Sequence, residues 1–174
     1  MKKYFLLFFF LIFYSNSFAE DKIFYLDMNY LLSESEAGKY INNELKKIND
    51  KNFEEYKTIE KSIKSEEEKL LAQKNILKEE EFNSKVENLK KKYSTYQNTK
   101  NAKNNDLKEL RNNAGNKLLK IINDILAEYS SKNKISLIVE KKNVVIGKTE
   151  LDITKNILDL LNAKIKKVEL INEW

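Results

Sequence analysis

Between Ser35 and about Ser130 the chain carries one thin stripe of apolar residues at helical spacing, which rules out an ordinary globular core for more than half of its length. In steps of three and four, the first half of the stripe reads Ile41, Leu45, Ile48, Asn52, Tyr56, Ile59, Ile63, Glu66, Leu70, Gln73 and Leu77. The second half reads Phe82, Val86, Leu89, Tyr93, Tyr96, Lys100, Lys103, Leu107, Leu110, Ala114, Leu118, Ile121, Ile125 and Tyr129. Steps averaging about 3.5 to 3.6 residues fit a two-helix, coiled-coil-like seam. Helices with so little to bury must pack on each other and project into solvent.

The reversal between them carries no Gly or Pro. Glu79, Glu80 and Glu81 favour a helix start through the positive end of the helix dipole, so the turn is placed near Lys78. That register sets Leu77 opposite Phe82, Leu70 opposite Leu89, Ile41 opposite Leu118, and Lys103 beside Tyr56, where its ammonium can meet the ring face. An arm of about 40 residues extends about 60 Å. Asn52, Glu66, Lys100 and Lys103 interrupt the stripe and predict an arm that bends at mid-length.

The flanks have strand character. The run Lys22–Met28 reads as a strand buried on both faces, followed by a short turn, Tyr30–Ser33, capped by Asn29; Ser35 caps the first long helix. Ile135–Val139 and Asn143–Gly147 read as two further strands joined by Glu140-Lys141-Lys142, and Asp152 caps a last amphipathic helix carrying Ile153, Ile157, Leu160, Leu161 and Ile165. The expected fold is therefore mainly α with a small β body (α+β): a long antiparallel helical hairpin, residues 35–130, projecting from a strand-rich base formed by 20–34 and 131–174. Such a base has few apolar residues for a core of its own, so association of copies is expected, through Ile23, Tyr25, Leu26, Leu137, Ile138, Val139, Val144 and Ile146.

Lys2 and Lys3, the apolar run Tyr4–Tyr14 and small residues before Ala19 read as a secretory signal peptide, 1–19, cleaved after Ala19, which lowers the formal charge from +5 to +3. With no Cys and no His among 174 residues, thiol nucleophiles, the usual general base and soft metal sites are missing, and the acids are spread along helices. No enzyme, cofactor or metal is expected, and export argues against a nucleic-acid partner.

Charge divides unevenly between the two arms. Glu34–Phe82 holds thirteen acids and ten lysines, net −3, whereas Asn83–Lys120 holds ten bases and three acids, net +7. One reading is electrostatic support of the hairpin register. The other is a basic surface built from Lys85, Lys90, Lys91, Lys92, Lys100, Lys103, Lys108, Arg111 and Lys117, facing an acidic partner or anionic lipid. Phe53 lies off the stripe and is the apolar candidate for partner contact, whereas Tyr56, Tyr93 and Tyr96 read as seam residues.

In this order, Lys22–Met28, Leu32–Lys39, the tip run Ile76–Phe82, Ile135–Val139 and Leu151–Thr154 resemble the Skp/OmpH family of periplasmic chaperones over essentially the whole exported chain. The resemblance implies a homotrimer with a central β body and three hairpins around a cavity. It also implies a periplasmic, ATP-independent holdase for unfolded outer-membrane proteins, with Phe53, Lys90, Lys91, Lys92, Lys100, Lys103 and Arg111 as candidate client-binding residues and lipid or lipopolysaccharide as a further contact. The alternative is a structural periplasmic adaptor bridging envelope proteins. Set beside the family, two features depart: the tail from Ala163 to Trp174 is longer than the usual end, and the tight tip run through Lys78 offers no glycine.

Overall fold

The computed structural model describes residues 22–170; the expected signal segment and Trp174 lie outside them. In chain order the elements are β1 (Ile23–Leu26), α1 (Met28–Glu34), α2 (Glu36–Ala72), α3 (Glu79–Asn133), β2 (Leu137–Glu140), single 3-10 turns at Lys141–Asn143 and Thr149–Leu151, and α4 (Thr154–Lys164). The two long helices pack antiparallel along their length. At 1.5 Å per residue, α2, with 37 residues, extends about 55 Å and α3, with 55, about 80 Å. The excess length of α3 runs past the start of α2 and becomes part of the base.

Local chemistry explains the boundaries. Ser35, fully buried, caps α2 by accepting from the Gly38 N–H at 3.1 Å, and the Glu36 N–H donates to Asn162 Oδ1 of α4 at 2.8 Å. The reversal occupies residues 73–78. Gln73 remains right-handed, and Lys78, extended and without a side-chain cap, precedes three glutamates in the first turn of α3. Among the described residues only Lys134 has a positive φ, so the tip turns without any backbone conformation that would call for glycine. Lys134 (φ 53°) sits just past α3, where its N–H reaches Ser131 O and the Ile135 N–H reaches Ser130 O at 3.0 Å, a Schellman-type stop.

One core joins the base to the roots of the arms. Leu26, Leu31, Ala37, Ile41, Leu45, Ala114, Leu118, Ile122, Ile125, Ile153, Ile157, Leu161 and Val168 are buried in one cluster. Gly38 is required there, because a Cβ would lie 2.0 Å from Leu32 O, where α1 crosses the first turn of α2. Beyond the roots the stripe narrows to Tyr56, Leu70 and Tyr96 as buried positions, with Ile48, Ile59, Ile63, Phe82, Val86 and Leu89 half-buried.

The base is a two-stranded parallel sheet, Ile23 opposite Leu137 through Leu26 opposite Glu140, with the whole hairpin as the crossover between its strands. On the other edge of β1, Tyr25 forms a parallel bridge to Asp152, and the Ile153 N–H donates to Tyr25 O at 2.9 Å. The Asp152-Ile153-Thr154 run therefore ties the two flanks together. The Asp152 carboxylate accepts from the Thr154 N–H and hydroxyl and from Lys141 Nζ, while Thr154 Oγ1 accepts the Asp27 N–H at 2.9 Å. Burial opposes ionisation of Asp152, but those donors outweigh it and hold its carboxyl below the usual range.

Several expectations are corrected. Asn143–Gly147 is not a strand: it follows a 3-10 turn, and Val145 and Ile146 are 99% and 93% exposed. The Val144 side chain crowds the space beside Gly147, where a Cβ would also lie 2.8 Å from the Tyr25 ring. β1 is not buried on both faces, since Ile23 is half-exposed and only Leu26 is buried. Asp27, not Asn29, caps α1, because its carboxylate is the one placed to accept from the Tyr30 N–H. Leu160 is exposed, whereas Ile122, off the expected stripe, is fully buried because α3 is enclosed on more than one side in the base.

Candidate functional site

The middle of the hairpin is a polar and aromatic cluster set into a thin apolar seam. Tyr56 and Tyr96 pack edge to face at 6.2 Å between ring centroids, and Lys100 Nζ stands 5.4 Å from the centroid of each. The Tyr96 hydroxyl donates to Glu60, and Lys100 pairs with the same carboxylate at 3.3 Å. The Tyr56 hydroxyl is buried with no hydrogen-bond partner among the described residues. Lys103, expected beside Tyr56, instead pairs with Glu55; Lys100, one turn nearer the tip, takes the cation–π position because Glu55 draws Lys103 to the flank.

Polar contacts continue across the arm toward the tip. Lys92 pairs with Glu66, and Lys85 reaches Gln73 at 3.4 Å. The hydrogen bond from Tyr96, then that from Lys100, holds the Glu60 carboxyl below its ordinary range; Lys103 does this for Glu55 and Lys92 for Glu66. Of the basic candidates, Lys92, Lys100 and Lys103 are thus engaged across the hairpin. Lys90, Lys91 and Arg111 are exposed and have no ion-pair partner among the described residues.

The two flanks of the distal arm differ in chemistry. One carries Glu66, Lys69, Gln73, Lys85, Asn88 and Lys92. The other is an apolar groove of about 620 Å³ formed by Ile63, Leu70, Leu71, Phe82, Val86, Leu89 and Tyr93, with Glu67 and Lys90 at its rim. Tyr93, expected on the seam, is 53% exposed and lies against the Tyr96 ring at 6.4 Å, leaving its other face to the groove. Leu71 is 63% exposed. Its position was missed because it falls one residue beyond the stripe; the adjacent pair Leu70-Leu71 is the signal that more than one face is apolar there. Phe53 is 61% exposed, and its separation of eighteen residues from Leu71 is five helical turns, so the two share one face of α2.

The residues proposed for association divide in the same way. Leu26 belongs to the core; Tyr25, Ile138, Val139 and Val144 are half-buried; Ile23, Leu137 and Ile146 are exposed. β2 has β1 as its one strand neighbour, so its outer edge is unpaired among the described residues. Among the described residues no cluster of acids could hold a metal ion, and no helix is long and apolar enough to cross a membrane.

A sequence model of the family described as outer membrane protein (OmpH-like) matches residues 22–161. No curated protein matches the chain in sequence. Among solved structures, a crystal structure described as an OmpH-like outer membrane chaperone from Caulobacter crescentus CB15 superposes with a TM-score of 0.81 at 18% identity, over 90% of this chain and 92% of that one.

Proposed function

The chain belongs to the OmpH-like outer membrane protein family, and from that membership we propose that it is a periplasmic, ATP-independent holdase that keeps unfolded outer-membrane proteins from aggregating before their assembly. The observation that carries the reading is the split of the distal arm into a polar flank crossed by the Lys92–Glu66 pair and a flank left as an open apolar groove. A chaperone of this kind must offer apolar contact without fixing one client conformation, and a shallow groove on a thin hairpin does so through many weak contacts. Phe53, Leu71 and Tyr93 supply apolar surface, while Lys90, Lys91 and Arg111 attract acidic stretches and act mainly on the rate of capture. The reading assigns the chain no catalytic role.

In this proposal copies associate through the base as a trimer, the outer edge of β2 and the exposed pair Val145 and Ile146 being covered in the assembly. Dilution of a urea-unfolded barrel protein into buffer tests the function. A holdase suppresses light scattering of several unrelated barrel proteins at near-stoichiometric amounts; binding of one folded envelope protein, with no suppression, would establish the adaptor reading instead. Native mass measurement reads the number of copies.

A further inference from the structure

The family match ends at residue 161, but the described chain continues to Leu170 and crosses from α4 to the root of the first arm. Four contacts hold this crossing: Asn162 Oδ1 accepts from the Glu36 N–H at 2.8 Å, Lys166 pairs with Glu36 at 3.4 Å, Lys167 Nζ stands 5.7 Å from the Tyr40 ring centroid, and Val168 is buried in the core cluster that includes Leu31, Ala37 and Ile41. Ile165 and Leu170 pack against the same cluster. The backbone leaves the helix extended at Ile165, with φ −151° and ψ 135°, and bends at Lys166 toward the core.

We propose that residues 165–170 form a strap that fastens the first two turns of α2 to the base and thereby limits how far the hairpin swings. The placement fits that task. α3 is rooted in the base by its own continuation and by its packing on α4, whereas α2 begins at Ser35. Its first two turns are held by α1 from one side and by this tail from another. Held by α1 alone, the root of α2 would be fastened on one side and free to tilt on the other; the tail fastens that second side and stiffens the joint. The two ion contacts are exposed and contribute little; Val168 supplies the hold, because an apolar side chain buried at a root resists sliding.

The inference concerns arm geometry and stands apart from the client reading, so its test needs no client. The chain has no cysteine, which allows Asn75→Cys at the tip and Asn156→Cys on the exposed side of α4 to carry a spin-label pair in the full chain. In Val168→Ser, and in a chain ending at Lys164, the tip-to-base distance distribution broadens and amide exchange in residues 36–45 quickens roughly tenfold, while exchange in 110–125 is unchanged. An unchanged distribution with unchanged exchange at 36–45 in folded Val168→Ser overturns the strap. Equal quickening at 110–125 overturns it too, since the tail would then be general core. If the shortened chain does not fold, Val168→Ser alone decides.

Discussion

The backbone N–H of Asp27 donates to Oγ1 of Thr154 at 2.9 Å, joining two residues that are 127 positions apart in the chain and lie on either side of the hairpin. The same hydroxyl donates to Asp152, so a single side chain satisfies both partners in a largely buried position. Thr154→Val removes donor and acceptor together and leaves the Asp27 N–H unpaired, an expected loss of about 1 to 3 kcal/mol. Thr154→Ser keeps both bonds and stays within about 1 kcal/mol of the parent. Urea unfolding of the two variants makes the comparison; a smaller loss for Thr154→Val than for Thr154→Ser would show that the methyl group, not the hydroxyl, matters.

Two glycines predict opposite signs. At Gly38 a methyl group would run into Leu32 O, which belongs to a backbone unable to yield, so Gly38→Ala is expected to cost at least about 1 to 3 kcal/mol. At Gly115, inside α3, a Cβ meets nothing within 4 Å, and Gly115→Ala should stabilise by about 0.5 to 1 kcal/mol through helix propensity. Thermal midpoints moving in the same direction for both would contradict this account.

Stability should fall on acidification. Glu55, Glu60 and Glu66 each titrate below the ordinary value of 4.5 in the folded chain, because Lys103, Tyr96 with Lys100, and Lys92 hydrogen-bond their ionised forms. The unfolded chain takes up these protons first, so the contribution is fully present above pH 4.5 and disappears as pH falls through the lower native values. A series of urea midpoints between pH 6 and pH 3 should show the decline, and the triple change Glu55→Gln, Glu60→Gln, Glu66→Gln should flatten it, leaving the slope due to Glu128 and Asp152. Parallel curves for the parent and triple variant would remove the cross-arm carboxylates from the explanation.

Phe53→Ala and Tyr93→Ala test the apolar flank. Both side chains are more than half exposed, so thermal stability should change by less than about 0.5 kcal/mol, as for ordinary surface substitutions. Retention of an unfolded barrel protein should weaken for both. Unaltered retention in the double variant would move the client surface elsewhere.

Amide exchange should separate the arm from the base. The base and roots share one continuous cluster, whereas between Glu66 and Tyr93 the seam has Leu70 as its one buried side chain. Exchange is therefore expected to be slowest in β1, β2 and the α3 segment 114–125, and fastest around residues 66–93. Uniform protection along both would mean that the thin seam is as rigid as the core.

The hairpin was legible in the sequence because one stripe of apolar residues obeys one period: Ile41, Leu45, Tyr56, Leu70, Ala114 and Leu118 are buried where the spacing puts them. Glycine-free reversal was legible too, through the three glutamates that open α3. The base was less so. Val144-Val145-Ile146 has strand composition, but composition measures fit to a pleated, half-buried surface, and within one chain no such surface meets these residues. The cation–π partner was misplaced by one turn because Lys100 and Lys103 both lie on the seam and only the position of Glu55 separates them. Leu71 was missed because it has no apolar neighbour at helical spacing on its own side; Val168 continues the spacing of Ile157, Leu161 and Ile165 but lies past the helix end at Lys164, so its burial depends on chain segments far away in sequence.

The parallel pairing of Ile23 with Leu137 and Leu26 with Glu140 makes the whole hairpin an insertion between two adjacent strands. Its length is therefore free of the register of the base. Removing seven residues from α2 and the seven facing them in α3 would keep the seam in phase and shorten the arm by about 10 Å, with Ser35, Gly38 and the Asp27–Thr154 bond untouched. Chains of this architecture can thus change reach by paired deletion or duplication of heptads without redesigning what holds the arm.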